Sequence, residues 1–114
     1  MAGFEKMKNM DYTDEVIERV WRLATVVPEV NPDLYRKDEF GAWISRYRYN
    51  ERDRPLSFGW MIVRVPDGEV DGERSLRPLQ WQNALAVERQ KKTHRVTSEG
   101  FYNRYVKEGN LKIK

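Results

Sequence analysis

Gly59-Trp60-Met61-Ile62-Val63-Arg64 reads as the heart of a strand over roughly residues 58–65 that ends at Pro66. Bulky and β-branched side chains suit a pleated, buried surface, and a proline cannot extend the ladder. Upstream, Ala-Trp-Ile-Ser-Arg-Tyr-Arg-Tyr over 42–49 alternates well enough for a first strand. Trp43, Ser45, Tyr47 and Tyr49 would face one way, and Ile44, Arg46 and Arg48 the other. Polar residues 50–56 connect the two strands. Downstream, residues 66–75 carry two glycines and alternating acids and read as a loop. Pro78 then falls near the start of a helix whose interior includes Trp81, Leu85 and Glu88. Ser75 is placed to cap an adjacent turn.

Further out, residues 1–11 are polar and Met-rich and read as a flexible lead-in. Asp11 or Thr13 can accept from the unpaired amides of a first helical turn, and Asp14 and Glu15 suit the positive end of its dipole. Ile17, Val20, Trp21 and Ala24 recur at helical spacing, widened by Val16, Leu23 and Val27, so a helix is expected over 13–26, stopped by Pro28. Residues 28–41 read as loop. Beyond Gln90 the signal weakens; Phe101, Tyr102, Tyr105 and Val106 could support a short helix ending near Gly109. No internal repeat or low-complexity segment occurs.

At 114 residues the chain fits one domain with a modest core, since charged residues make up 34% and hydrophobic residues 39%. Trp21, Trp43, Trp60 and Trp81 are expected to build much of that core, because each ring buries a large area. No apolar run approaches the roughly 20 residues that span a bilayer. The N-terminus lacks the apolar stretch of a signal peptide, and the absence of cysteine excludes disulfides and thiolate zinc sites. A cytoplasmic protein with no membrane partner is the expectation. The net charge of +3 is unevenly spread. Residues 88–114 hold eight Lys/Arg against three Glu, whereas 67–73 hold four acids and no base. A basic C-terminal extension over 91–114 can attract nucleic acid, or can simply be a solvated end.

Several motifs narrow the fold. Tyr12-Thr13-Asp14-Glu15-Val16-Ile17-Glu18-Arg19-Val20-Trp21 leads to Val26-Val27-Pro28, then Asn31-Pro32-Asp33-Leu34-Tyr35-Arg36-Lys37-Asp38 and Gly41-Ala42-Trp43-Ile44. Gly59-Trp60 and Leu76-Arg77-Pro78-Leu79-Gln80-Trp81-Gln82-Asn83 follow in order. Together, over about residues 12–87, they resemble the small stand-alone HNH endonucleases of bacteria and their phages. The resemblance implies an α+β fold: a ββα-metal core, two antiparallel strands packed on a helix, preceded by an N-terminal helix, within a domain spanning 12–90. In that family a His acts as general base toward water, while a neighbouring Asp and a helix-borne His or Asn hold a divalent cation. A middle Asn orients the His-bearing loop.

Every one of those positions differs here. The metal Asp aligns with Val63, the base with Arg64, the middle Asn with Ser75, and the last metal position with Ala84, beside a retained Asn83. Val63 has no ligand atom, and Arg64 stays cationic and cannot take a proton. A register shift of one brings up Ile62 or Val65, neither an acid nor a base. The four changes together imply no catalytic residues, no bound metal and no cofactor. The expected function is an inactive HNH-like binding module for DNA or RNA, or for a protein partner. A regulator or inhibitor of a host nuclease in a phage or mobile element would fit. The alternative is a divergent metal-dependent DNA endonuclease with relocated ligands such as Asp67, Asp71, Asn83 or His94. A purely structural interaction module, such as a homodimer, is a third reading.

Arg36, Arg46, Arg48 and Arg64, with Lys91, Lys92 and Arg95, are the candidate phosphate contacts, interleaved with Tyr47 and Tyr49 for stacking. The competing reading pairs the arginines with nearby acids. Arg64 could occupy the pocket vacated at Val63, hold one phosphate without cleaving it, or pair with an acid of the loop. The acidic loop 67–73 would repel a polyanion and could face a basic protein partner, or serve only solubility. Its calcium-loop likeness fails at Pro78, where a bidentate Glu belongs. No phosphate-binding Gly-rich loop, nucleophilic triad or small-molecule site is evident.

Overall fold

The first helix, α1 (Asp14–Trp21), starts where Thr13 Oγ1 accepts from the Val16 amide at 3.2 Å, with Asp14 and Glu15 in its first turn. It is shorter than its apolar spacing predicts. The chain leaves the helix at Arg22, because Thr25 exchanges both backbone hydrogen bonds with Lys37, at 2.8 and 3.0 Å. That bridge takes the backbone groups that a continued helix would use, and β-branched Thr25, Val26 and Val27 suit the extended form. These are features of a computed structural model, which describes residues 12–64, 76–89 and 95–106.

Lys37 belongs to a short strand, β1 (Tyr35–Lys37), inside the segment expected as loop; it pairs antiparallel with β2 (Trp43–Ser45). The strand expected over 42–49 stops at Ser45 and turns into a 3-10 turn, Arg46–Arg48. Among the described residues no strand pairs with Arg46 to Arg48, and Asn50 takes a positive φ of 68°, so alternation alone does not hold them extended. Tyr49 then makes a parallel bridge to Trp60.

Strand β3 (Trp60–Arg64) pairs antiparallel with β4 (Leu76–Gln80) in the register Trp60↔Gln80, Ile62↔Pro78 and Arg64↔Leu76. Pro78 therefore lies within a strand, not at a helix start. A two-stranded sheet tolerates it because the absent N–H can fall on the open edge. The second helix, α2 (Trp81–Glu88), begins three residues later, its first amides Gln82 and Asn83 capped by Gln80 Oε1 at 2.8 and 3.3 Å.

Residues 101–106 are not helical. Strands β5 (Val96–Glu99) and β6 (Tyr102–Tyr105) form an antiparallel hairpin that turns at Gly100, φ 60°. The aromatic spacing that mimics a helical face arises from a hairpin whose ring at Phe101 packs edge-on against Trp43, Tyr35 and Phe58.

Alternation along β3 divides the interior. Trp60 and Ile62 join Val20, Trp21, Ala24, Ile44 and Leu76 under α1, while Met61 and Val63 join Leu79 and Ala84 beneath α2. Trp21 and Trp60 meet at 5.6 Å between ring centroids. Three of the four expected core tryptophans are buried; Trp81 is half-buried and donates from Nε1 to the Arg54 carbonyl and Ser57 Oγ. At Gly59 any side chain would collide with the Glu51 carbonyl oxygen, so only glycine fits. Among the described residues, then, the fold is α+β, with two helices and three two-stranded antiparallel sheets.

Candidate functional site

The chain order strand β3, strand β4, helix α2 brings Val63 and Ala84 into one hydrophobic cluster. Both are buried, at 2% and 0% exposure, in an apolar cluster with Met61 and Leu79, closed by Phe40, Trp81 and Val87. A hard divalent cation needs oxygen ligands in place of its water shell, and the side chains of this cluster offer aliphatic carbon, aromatic rings, the Met61 thioether and the donor-only Trp81 N–H. Arg64 does not enter it. As the next residue on β3 it lies on the opposite face of the sheet and is exposed. Val63 is therefore covered by packing, and a guanidinium does not substitute for metal there. Among the described residues no group of three or more His, Cys, Asp or Glu side chains comes together.

Asn83, in the first turns of α2, is fully buried and clamps β5. Its Oδ1 accepts from the Val96 amide at 2.7 Å, and its Nδ2 donates to the Val96 carbonyl at 2.9 Å and to Asp38 Oδ2 at 3.0 Å. Both ends of the amide are thus occupied within the fold. Ser75, Asp67, Asp71 and His94, together with the acidic loop 67–73, lie outside the described residues.

Asn83 leads to a residue that sequence reading passed over. The Asp38 carboxylate, 3% exposed, accepts from the amides of Phe40, Ala42 and Gln80, each at 2.9 Å, and from Asn83 Nδ2. It joins the β1–β2 turn to the β4–α2 junction. Burial pushes its carboxyl above the usual range; the hydrogen bonds from Asn83, Gln80, Ala42 and Phe40 pull against that rise. Asn103 plays the matching part on the other side. Its Oδ1 accepts from the Trp43 amide at 2.7 Å, and its Nδ2 donates to the carbonyls of Trp43 and Ser57, each at 3.1 Å. Gln80 Nε2 also reaches the Ser57 carbonyl, at 2.9 Å. Asp38, Gln80, Asn83 and Asn103 thus form the buried polar frame. The one local hint was Asp38 ahead of Gly41, the pattern of a side chain bonding its own turn.

Of the expected basic face, the described members Arg36, Arg46 and Arg48 are engaged within the fold. Arg36 is a strut: Nε donates to the Pro32 carbonyl at 2.8 Å, Nη1 reaches the Arg22 carbonyl, and the guanidinium lies over Trp21. Arg46 pairs with Glu18 at 2.7 Å and more loosely with Asp33, and Arg48 pairs with Glu51 at 3.0 Å. Because residues 46–48 turn, Tyr47 does not share a strand face with Trp43. Arg64 stands at the far end of β3. Arg95 stacks on Phe40, 4.9 Å from the ring centroid, and so sits over the outer wall of the Val63–Ala84 cluster. Lys91 and Lys92 lie outside the described residues.

No described helix is long and apolar enough to cross a membrane. No protein-family model matches the chain, and no curated protein or solved structure is significantly similar to it.

Proposed function

We propose that the chain is a catalytically silent HNH-like domain that acts by binding, with nucleic acid as its target. The observation that carries the silence is the burial of both Val63 and Ala84: the two positions aligned with metal ligands share one apolar cluster. What supports the HNH relationship is the motif series of the sequence, together with the strand–strand–helix order β3, β4, α2. Nucleic acid is favoured by the basic excess of residues 88–114, of which Arg89 and Arg95 are the described members beside α2. A role in the cytoplasm of a bacterium or phage-infected cell, restraining a nuclease of related fold by occupying its target, belongs to the same proposal.

Plasmid and single-stranded DNA incubated with Mg²⁺, Mn²⁺ or Ni²⁺ should stay intact. Gel shifts at low salt should show binding that weakens steeply as salt rises, because each neutralised phosphate releases counterions. Metal-dependent nicking by the purified chain would overturn the silent reading. Absence of any shift at low salt would overturn nucleic acid as the target and direct attention to the acidic loop 67–73 and a basic protein.

A further inference from the structure

Beside the polar frame, α2 and the β5–β6 hairpin enclose a cleft of about 640 Å³. That size lies within the range of pockets that hold small ligands. Its walls are Trp81, Leu85, Ala86, Val96 and Tyr105, with Arg89 and Arg95 also lining it. No carboxylate is among its described lining residues. A further polar feature is oriented: Gln82 Nε2 donates to the Tyr105 hydroxyl at 3.1 Å, which leaves the hydroxyl proton free to be given to a guest. Arg95, which lines the cleft, also places its guanidinium 4.9 Å from the Phe40 ring centroid.

We propose that this cleft seats one nucleotide unit, its base against the apolar and aromatic wall and its phosphate on Arg89 and Arg95. The charge of the lining selects an anion, the planar guanidinium matches phosphate oxygens in pairs, and the rings of Trp81 and Tyr105 suit a flat heterocycle. The Tyr105 hydroxyl supplies a donor for a base-edge acceptor. This deepens the nucleic-acid reading and rests on it. The unit can come from a free mononucleotide or from a single strand, and the cleft chemistry is common to both.

The test titrates the full chain with AMP, adenosine and a ten-residue oligothymidylate, read by calorimetry and by tryptophan fluorescence. AMP should bind, and adenosine, lacking the phosphate, should bind at least about tenfold more weakly, the loss expected for charge-assisted hydrogen bonds. Arg89→Ala and Arg95→Ala should each weaken AMP by a similar factor. Ala86→Trp, a half-buried position whose new ring fills the cleft, should abolish AMP binding while urea unfolding shows the fold retained. If a single strand is the source, the oligothymidylate displaces AMP and loses affinity in Ala86→Trp; if a free nucleotide is the source, AMP stays bound in its presence. Oligonucleotide binding that Ala86→Trp leaves unchanged would overturn the cleft but keep the nucleic-acid reading. AMP binding with no gel shift would keep the cleft and overturn that reading. AMP and adenosine binding alike, or neither binding, would overturn the cleft proposal.

Discussion

Replacing Asp38 tests the buried frame at its most connected point. Its carboxylate answers four donors, of which those on Ala42, Gln80 and Asn83 are buried. In Asp38→Ala each of the three loses its acceptor, at about 1–3 kcal/mol per buried orphan. Water entering the space left by the carboxylate can serve one or two of them, and the cost of burying a charge disappears. The expected net loss is about 2–4 kcal/mol, a large share of the stability of a domain this size. Urea unfolding at pH 7 measures it as a fall in midpoint at unchanged slope. Asp38→Asn sharpens the test. Its Oδ1 can still accept from Phe40 and Ala42, but its amide NH₂ would face the Gln80 N–H and Asn83 Nδ2, donor against donor. The Asn variant should therefore also be destabilised, though isosteric. The pH dependence has a defined sign. A carboxyl raised in the folded state holds its proton longer than the unfolded chain does, so the wild-type advantage is greatest at acid pH. It declines as pH rises from the unfolded value of 3.8 through the folded one, and is constant above. A loss below about 1 kcal/mol in both variants would refute the reasoning, because buried donors deprived of an acceptor cannot be that cheap.

Other substitutions probe the remaining links. Val63→Asp places a carboxylate among Met61, Leu79 and Ala84 without a partner and should cost about 3 kcal/mol or more by urea titration, with no rescue by Mg²⁺. Asn103→Ala deprives the Trp43 amide of its acceptor and should lower stability by about 1–3 kcal/mol, loosening the β5–β6 hairpin in hydrogen exchange before α1 opens. Gly59→Ala forces a methyl group into the Glu51 carbonyl and should fail to give a soluble folded product, or should unfold at far lower urea; wild-type stability would contradict the close approach. Arg48→Ala breaks an exposed ion pair and should change stability by less than about 1 kcal/mol, whereas Arg36→Ala, which removes three carbonyl contacts and a ring contact, should cost more.

The sequence by itself determined what depends on near neighbours and on side-chain type. A cap at Asp11 or Thr13 with the α1 periodicity, a strand over roughly 58–65 that forms at 60–64, the burial of Trp21, Trp43 and Trp60, and the lack of ligand atoms at Val63 and Ala84 were all legible there. Tertiary structure decided what depends on partners distant in the chain. The end of α1 was set by Lys37, which offers Thr25 backbone bonds no local pattern reveals. Residues 102–105 became a strand because 96–99 lie alongside, and the arginines became struts where carbonyls and acids converged on them. Apart from the turn pattern of Asp38 ahead of Gly41, the polar frame was hidden for the same reason. Asp38, Gln80, Asn83 and Asn103 are ordinary surface-prone residues until folding brings their donors and acceptors together, from as far as 60 positions away in the chain. A residue's chemistry is local, but whether a carboxylate or amide is solvated or satisfied inside the fold depends on which distant backbone reaches it.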